Sequence, residues 1–373
     1  MTTLITPAEL DQALQIRDLS DPAAGPHATQ LVVDELRTAL TSAWPVAERV
    51  VRDHPVVTMA DNYDDLGYAA DAVTRDARYT RYVDAEHVLR SHSSAMIPPA
   101  LRELAERPDH DDVLLVCPGI CYRRDAVDWQ HTGTPHQLDL WRITRGPTTP
   151  DDLLAMIGLV VEAALPGTEW RAVPSEHPYT VGGRQIDVHW RGEWVEIGEC
   201  GVAAPHVLRT AGLDDTWSGL AMGLGLDRLV MLRKGVPDIR LLRSPDPRIA
   251  RQLLDLAPYR PVSHMPPVRR DLSLAVDPGT DLSEEALGDR VRSALGDDAE
   301  AAERVEPLSV TPYDELPAAA RERLGIGTDQ SNLLLRLVLR PLDRTLTDAD
   351  ANMLRDRVYA ALHRGTISQW AVG

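Results

Sequence analysis

The spacing of apolar positions changes several times along this chain, and the changes divide it. Residues 29–52 (TQLVVDELRTALTSAWPVAERVVR) carry apolar residues at near-helical spacing, interrupted by Pro45. From 113 to 200 the period becomes two, as in half-buried strands. VLLVCPGI (113–120) and HQLDLWRI (136–143) form one pair, with a helix over about 150–165 following. RQIDVHW (184–190) and EWVEIGEC (193–200) form a second pair, joined by Arg191-Gly192 as a tight hairpin. GLAMGLGLDRLVMLRKG (219–235) predicts a helix stopped by Gly235 and Pro237. An earlier helix starts at Thr6, with Pro7 in its first turn and Glu9 closing a capping box. Hairpins covered by helices predict an α+β domain on an antiparallel sheet over residues 1–255, with 1–54 as a helical extension.

LAPYRPVSHMPP (256–267), with four prolines in twelve residues, predicts a linker. Over 268–373 the order restarts as strand DLSLAVD, helix SEEALGDRVRSAL, strands ERVEPLSV and NLLLRLVLR, helix TDADANMLRDRVYAAL and strand TISQWAV. That βαββαβ order is the ferredoxin-like arrangement.

The chemistry concentrates between the first two strands. Their connection runs for more than a dozen residues, where a hairpin loop commonly takes about 2–5. It carries Arg123, Arg124, Asp125, Asp128 and His131. Guanidinium groups beside a histidine suit a polyphosphate, because the planar donor fork meets phosphate oxygens bidentately; a solvated charged loop is the plainer reading. On HQLDLWRI, alternation puts Gln137, Asp139 and Trp141 on one face. The same rule groups Trp194, Glu196, Gly198 and Cys200, where Glu196 would serve an ammonium or a simple salt bridge. Gly219, Gly223 and Gly225 precede Arg228, a pattern that lets a ligand approach backbone near a cation. A zinc site from Cys117, Cys121, His131 and His136 is a weaker alternative, because the spacing is short and both cysteines fall along a strand.

Composition narrows the partners. The formal charge is −18, an unfavourable background for a polyanion such as nucleic acid unless a local arginine patch outweighs it; DNA is not expected as a partner, and no run of 18 or more apolar residues suggests a membrane span. Three cysteines and an N-terminus with neither a basic nor an apolar leader region predict a cytoplasmic protein. One lysine (Lys234) stands against 38 arginines, and phenylalanine is absent; a chain of this size carries on the order of a dozen. A GC-rich gene is the simplest account of both.

Five segments in order resemble the catalytic core of phenylalanyl-tRNA synthetase, a class II aminoacyl-tRNA synthetase. They are DNYDDL (61–66), LRSHSSAM (89–96), CYRRDAVDWQHTGTPHQLDL (121–140), WVEIGECGVAAPHVLRTAGLD (194–214) and GLAMGLGLDRLVML (219–232). The third and fifth are similar to the family's motifs 2 and 3. PPVRRDLSLAV and DRTLTDADANML resemble its C-terminal ferredoxin-fold anticodon-binding domain, and the two parts on one chain match the short organelle-type form. The resemblance implies activation of an amino acid by ATP with Mg²⁺ and transfer to tRNA, by a monomer or homodimer. Arg123 would hold the α-phosphate and the substrate carboxylate, His131 the outer phosphates and Arg228 the γ-phosphate. Asp125, Pro135, Gly223 and Gly225 complete the implied ATP site. His92, Ser94, Gln137, Asp139 and Glu196 match positions that fix the amino acid's backbone groups, and His177, Tyr179 and Ala221 positions that receive its side chain. No metal ligand is singled out.

The departures from the family are specific. Pro135 stands where a Phe stacks on adenine, and Asp139 is shorter than the usual Glu. HPYT (177–180) replaces a stretch with two phenylalanines, and Glu199 replaces a glycine. A pocket with an imidazole and a phenol fits either phenylalanine or a polar, non-standard aromatic amino acid. The acceptor is less specified: residues 258–373 hold 14 Arg against 19 Asp plus Glu, and only Trp370 is an aromatic on an expected strand. A ligase acting on a small molecule or carrier, and a non-catalytic paralogue, are the alternatives.

Overall fold

The computed structural model describes residues 4–368, apart from 77–78, 125–127, 262–265 and 342–343. The chain forms two compact units, Met1–Arg123 with Thr134–Val236 and Arg251–Tyr259, and Arg124–Gly133 with Pro237–Ala250 and Arg260–Gly373.

The first unit is mixed α+β. Helix α1 (Pro7–Leu14) begins as its sequence dictates: Thr6 accepts from the Glu9 N–H, and the Glu9 carboxylate accepts from the Thr6 N–H. Helix α2 (Ala28–Ala43) stops short of Pro45, and the helical pattern does not resume. Residues read as a helical extension instead supply β1 (Ala47–Val50) to the main sheet. Three short strands, β2 (Val56–Thr58), β3 (Arg81–Tyr82) and β4 (His87–Leu89), make a separate small sheet ahead of α3 (Ile97–Glu106). There follow β5 (Asp112–Ile120), β6 (His136–Arg145), α4 (Pro150–Ala164), β7 (Trp170–Pro174), β8 (Thr180–Trp190) and β9 (Glu193–Ala203). Helix α5 (Pro205–Thr210), β10 (Trp217–Gly225) and α6 (Leu226–Lys234) complete the unit's named elements.

The seven-stranded sheet has the order β1-β5-β6-β10-β9-β8-β7, antiparallel except for the β1–β5 pair. Arg191 (φ 52°) and Gly192 (φ 91°) turn β8 into β9, both left-handed as a two-residue turn of this kind requires. The helix expected over 219–235 is a correction: its first seven residues are strand, and helix begins only at Leu226. Gly219, Ala221, Gly223 and Gly225 alternate with Leu220, Met222 and Leu224, a period of two. Partners on both sides satisfy the backbone of that glycine-rich run, and glycine costs a helix interior about 1 kcal/mol each.

Helices α2, α4 and α6 pack on one another and on the sheet. The other face meets α3 and α5 through Leu101, Leu104, Val207 and Leu208, which bury Leu115, Trp141 and Ala221. Each such leucine contributes about 1.5–3 kcal/mol. The chain's one lysine has a structural position here. Lys234 is 1% exposed, and its ammonium donates to Asp255 O (2.7 Å), Asp255 Oδ1 (3.0 Å) and Ala257 O (2.6 Å). A compact three-donor head fits this cage, whereas a planar guanidinium does not. Lys234→Met should therefore destabilise the protein by about 2–4 kcal/mol in urea titrations, and Lys234→Arg should not restore it.

The second unit contains α7 (Pro247–Ala250), β11 (Val268–Val276), α8 (Glu284–Leu295), β12 (Ala302–Pro312), α9 (Ala318–Leu324), β13 (Ser331–Leu339) and α10 (Asp348–Leu362). Its sheet has the order β11-β13-β12, all antiparallel. Leu333, Leu335, Leu337 and Leu339 alternate inward and pack with Leu287, Val291, Leu354 and Val358 of α8 and α10. Helix α9 lies between two strands that the sequence pattern places in direct succession. The last expected strand, TISQWAV, falls partly outside the described residues, and Trp370 with it.

Candidate active site

The site lies on the sheet face that carries Trp141 and Ala221. Strand pairing sets it out in rows: Cys117, Asp139, Gly223 and Glu199 are mutual partners across β5, β6, β10 and β9. Directly paired residues share a face. One row further on, Leu115, Trp141, Ala221 and Gly201 are paired in the same way.

Asp139 is the centre of this arrangement. It is 1% exposed; its Oδ2 accepts from Ser93 Oγ (2.5 Å) and Ser94 Oγ (3.1 Å), and its Oδ1 from Trp141 Nε1 (3.0 Å). Burial pushes its pKa up to about 6, the three hydrogen bonds opposing and the Glu199 charge adding to the rise. Gln137, two residues back on the same face, accepts from the Ser93 N–H (3.1 Å) and from Cys121 Sγ (3.4 Å) through Oε1. His92 stacks on Tyr68 with centroids 5.6 Å apart, and burial lowers its pKa to about 4, so its ring is neutral at pH 7.

Arg123 follows β5 and bridges to Thr80. Its charge acts on His92 and on Glu196, so the three lie in one neighbourhood. Arg228 stands in the first turn of α6 and donates from Nη1 to the Glu196 carbonyl at 2.8 Å. Simple alternation would place Glu196 with Gly198 and Cys200, on the opposite face from Glu199. A β-bulge intervenes: Ile186 opposes Gly198, while the next residue, Asp187, opposes Glu196. The extra residue, Ile197, re-aims Glu196. Burial raises the Glu196 pKa, Arg228 opposes that rise, and Glu199, Asp187 and Arg123 also act on it.

Gly223 and Gly225 keep the floor of the site low. A Cβ on Gly223 would lie 3.8 Å from Asp139 Oδ2, and one on Gly225 3.7 Å from Arg228 Cβ. Pro135 is buried beside His136 and its carbonyl accepts from Cys121 N at 2.7 Å. His177, Tyr179 and Trp141 form a stacked series, with Tyr179 centroids 5.8 Å from His177 and 6.0 Å from Trp141. His177 Nε2 pairs with Glu199 Oε2 at 3.0 Å.

Residues 13–253 match the family described as "tRNA synthetases class II core domain (F)". The chain belongs to this family. Among proteins similar to it is the phenylalanine--tRNA ligase alpha subunit of Prochlorococcus marinus, 37% identical over 205 residues, which are 55% of this chain and 59% of that one. The probable mitochondrial phenylalanine--tRNA ligase of Drosophila melanogaster is 28% identical, with 83% of this chain and 76% of that one covered. The mitochondrial enzyme of Saccharomyces cerevisiae is 24% identical, with 94% and 89% covered. The chain thus spans little more than half the length of the alpha subunit and most of the two mitochondrial proteins. A solved pyrrolysyl tRNA synthetase of Desulfitobacterium hafniense shares 19% identity at a TM-score of 0.45 over 63% of this chain and 77% of that one, too slight a likeness to carry an argument. The alternatives of a tRNA-independent ligase and a non-catalytic paralogue gain no support from these relatives.

Of the synthetase-like positions, His92, Ser94, Arg123, Pro135, Gln137, Asp139, His177, Tyr179, Glu196, Ala221, Gly223, Gly225 and Arg228 all belong to the first unit. His131 belongs to the second, where its Nδ1 lies 2.7 Å from Asp128 Oδ2 and its backbone N–H donates to Asp128 Oδ1. Asp125 lies outside the described residues. Sequence reasoning missed three contributors. Ser93 shares Asp139 with Ser94, and the serine pair in HSS was the available signal. Tyr68 has no local signature. His136, weighed only as a zinc ligand, is committed elsewhere: its Nδ1 lies 2.8 Å from Asp227 Oδ1 and its Nε2 accepts from Leu19 N at 2.9 Å. It thereby ties the start of β6 to the turn of α6 that carries Arg228.

Proposed function

We propose that this protein is a ligase that uses ATP to activate phenylalanine or a related aromatic amino acid and transfers it to tRNA. The observation that carries the reading is the convergence of Arg123 and Arg228 on the sheet face that holds the serine-bound carboxylate Asp139. Asp139 holds the substrate ammonium, with Gln137 beside it. Arg123 aligns the substrate carboxylate with the α-phosphate; a carboxylate oxygen attacks phosphorus, and the bond to the β-phosphate breaks as pyrophosphate leaves. A tRNA hydroxyl then attacks the acyl carbon and AMP departs. Positioning and charge stabilisation do most of this work. Arg228 meets the γ-phosphate, and Pro135 stands at the position of the adenine-stacking residue.

Mg²⁺ fits this donor set. The Glu196 carboxylate makes no hydrogen bond among the described residues and lies within the field of Arg228, Glu199, Asp187 and Arg123. That suits an ion held by one carboxylate, substrate phosphates and water, which would neutralise phosphate charge when bound.

Residues 1–255 would form the catalytic part, 256–267 the linker and 268–373 a ferredoxin-like anticodon-binding part. The antiparallel strand order β11-β13-β12, with α8 and α10 packed on the sheet, supports the last assignment. It would act as a monomer or homodimer, and three buried free thiols suit the cytoplasm. Purified protein should catalyse pyrophosphate exchange into ATP that depends on an aromatic amino acid, and should charge tRNA. Failure of both, with no ATP binding in calorimetry, rejects the reading.

A further inference from the structure

The activation proposed above leaves one end of the amino-acid pocket unexplained, and this inference rests on that reading. Asp139 and Glu199 both pair with Gly223, from opposite sides. Two carboxylates therefore stand on one sheet face, two strand spacings or ~10 Å apart at Cα, with only a glycine between them. That separation is comparable to the reach of an aromatic amino acid from its ammonium to a substituent on the far edge of its ring.

The two ends are built differently. Asp139 is fully buried and bonded to three donors. The Glu199 side chain is 40% exposed, and one oxygen pairs with His177, whose own side chain is 7% exposed. His177 Nε2 also lies 3.2 Å from Ser175 Oγ, which fixes the ring. The second Glu199 oxygen accepts nothing among the described residues. An aromatic wall joins the ends: Trp141, Tyr179 and His177 stack in series, and Tyr68 approaches Tyr179 at 6.3 Å. Tyr179 is 5% exposed, and neither its phenol nor that of Tyr68 hydrogen-bonds to a described residue. Burial raises both phenol pKa values, and the charges of Asp139 and Glu199 raise them further, so both tyrosines stay protonated. An unsubstituted ring in this gap would desolvate a carboxylate and two phenols and return no hydrogen bond to any of them.

We propose that the His177–Glu199 pair is a specificity site that accepts a hydrogen bond from an amine or hydroxyl on the far edge of the substrate's aromatic ring. Sites that pair a substrate donor reject the analogue lacking it far more strongly than apolar pockets reject a methylene.

The test compares phenylalanine, tyrosine and 4-aminophenylalanine in ATP–pyrophosphate exchange with the full-length protein, Glu199→Ala and His177→Phe. The wild type should favour one donor-bearing substrate over phenylalanine by at least about 30-fold in kcat/KM. Whichever leads identifies the donor as amine or hydroxyl. Both variants should reduce that ratio to roughly threefold or less, with phenylalanine exchange rising in absolute terms, a gain that misfolding cannot produce. Wild type that prefers phenylalanine, or ratios that the variants leave unchanged, overturn the specificity site alone. Absence of exchange with all three in a cooperatively melting wild type overturns the activation reading and this inference together.

Discussion

Arg228→Ala should lower ATP–pyrophosphate exchange by roughly 10²–10³-fold, the usual cost of removing one preorganised cationic donor from a developing charge. Two features make the residue a positioned donor. Its Nη1 is spent on the Glu196 carbonyl at 2.8 Å, which orients the guanidinium. Its neighbour Asp227 accepts from His136 N at 2.9 Å, which fixes the helix turn to β6. Stability should change by no more than about 1 kcal/mol, because Arg228 is partly solvated and such a cation contributes little net folding energy. The loss should appear mainly in KM for ATP and in kcat, and little in KM for the amino acid. Arg228→Lys should recover only part of the activity, since an ammonium restores the charge without the fork. A loss under tenfold, or one confined to amino-acid KM, would remove Arg228 from the phosphate site.

The contrast between what the sequence made legible and what it concealed follows from the range of the interactions. Local signals were sufficient for the capping box at Thr6, the Arg191-Gly192 turn, and the shared face of Gln137, Asp139 and Trp141. Each depends on neighbours within a few residues. The strand at 217–225 was hidden because glycine-rich segments have weak intrinsic preference, and only the partners on either side select the extended form. Glu196 shows the limit most sharply: alternation predicts its face correctly for an unbroken strand, but one inserted residue reverses it, and a bulge is a property of two paired strands. His136 and Asp227 are 91 residues apart, so nothing near either announces the pair. Family resemblance could supply the site's membership, yet it marked Glu199 only as a departure. That His177, already marked in HPYT, is its partner became evident only through the fold.

Asp139→Asn should make the protein more stable at pH 8 while removing most of its activity, an opposition that separates a binding carboxylate from a structural one. The folded pKa is about 6 against an ordinary 3.8, so the folded state holds the proton more tightly. Stability is therefore greatest below about pH 4 as far as this group is concerned, falls as pH rises through the window from 4 to 6, and the full loss persists above it. A rise from 3.8 to about 6 corresponds to roughly 3 kcal/mol, and the asparagine variant should regain up to that amount at pH 8. Its amide oxygen can still accept from Trp141 Nε1 and its NH2 can donate to the serine hydroxyl oxygens, but the two buried serine protons lose their acceptor, which draws the gain below that amount. Activity follows the opposite sign, because an ammonium needs the ionised carboxylate. Wild-type kcat/KM for the amino acid should fall as pH drops through about 6. His92, with its pKa lowered to about 4, stays neutral through that range, and burial keeps Cys117 a thiol. Exchange by the variant should be at least about 10²-fold weaker at every pH, consistent with leaving the substrate charge unpaired in a buried site. Urea titrations at pH 5 and pH 8, run beside exchange assays, decide the matter. A variant less stable than wild type at pH 8 would mean that the hydrogen bonds from Ser93, Ser94 and Trp141 outweigh desolvation, and that Asp139 is retained to hold the fold. A variant both more stable and inactive would mean that folding stability is sacrificed at this position to keep a buried negative charge for the substrate.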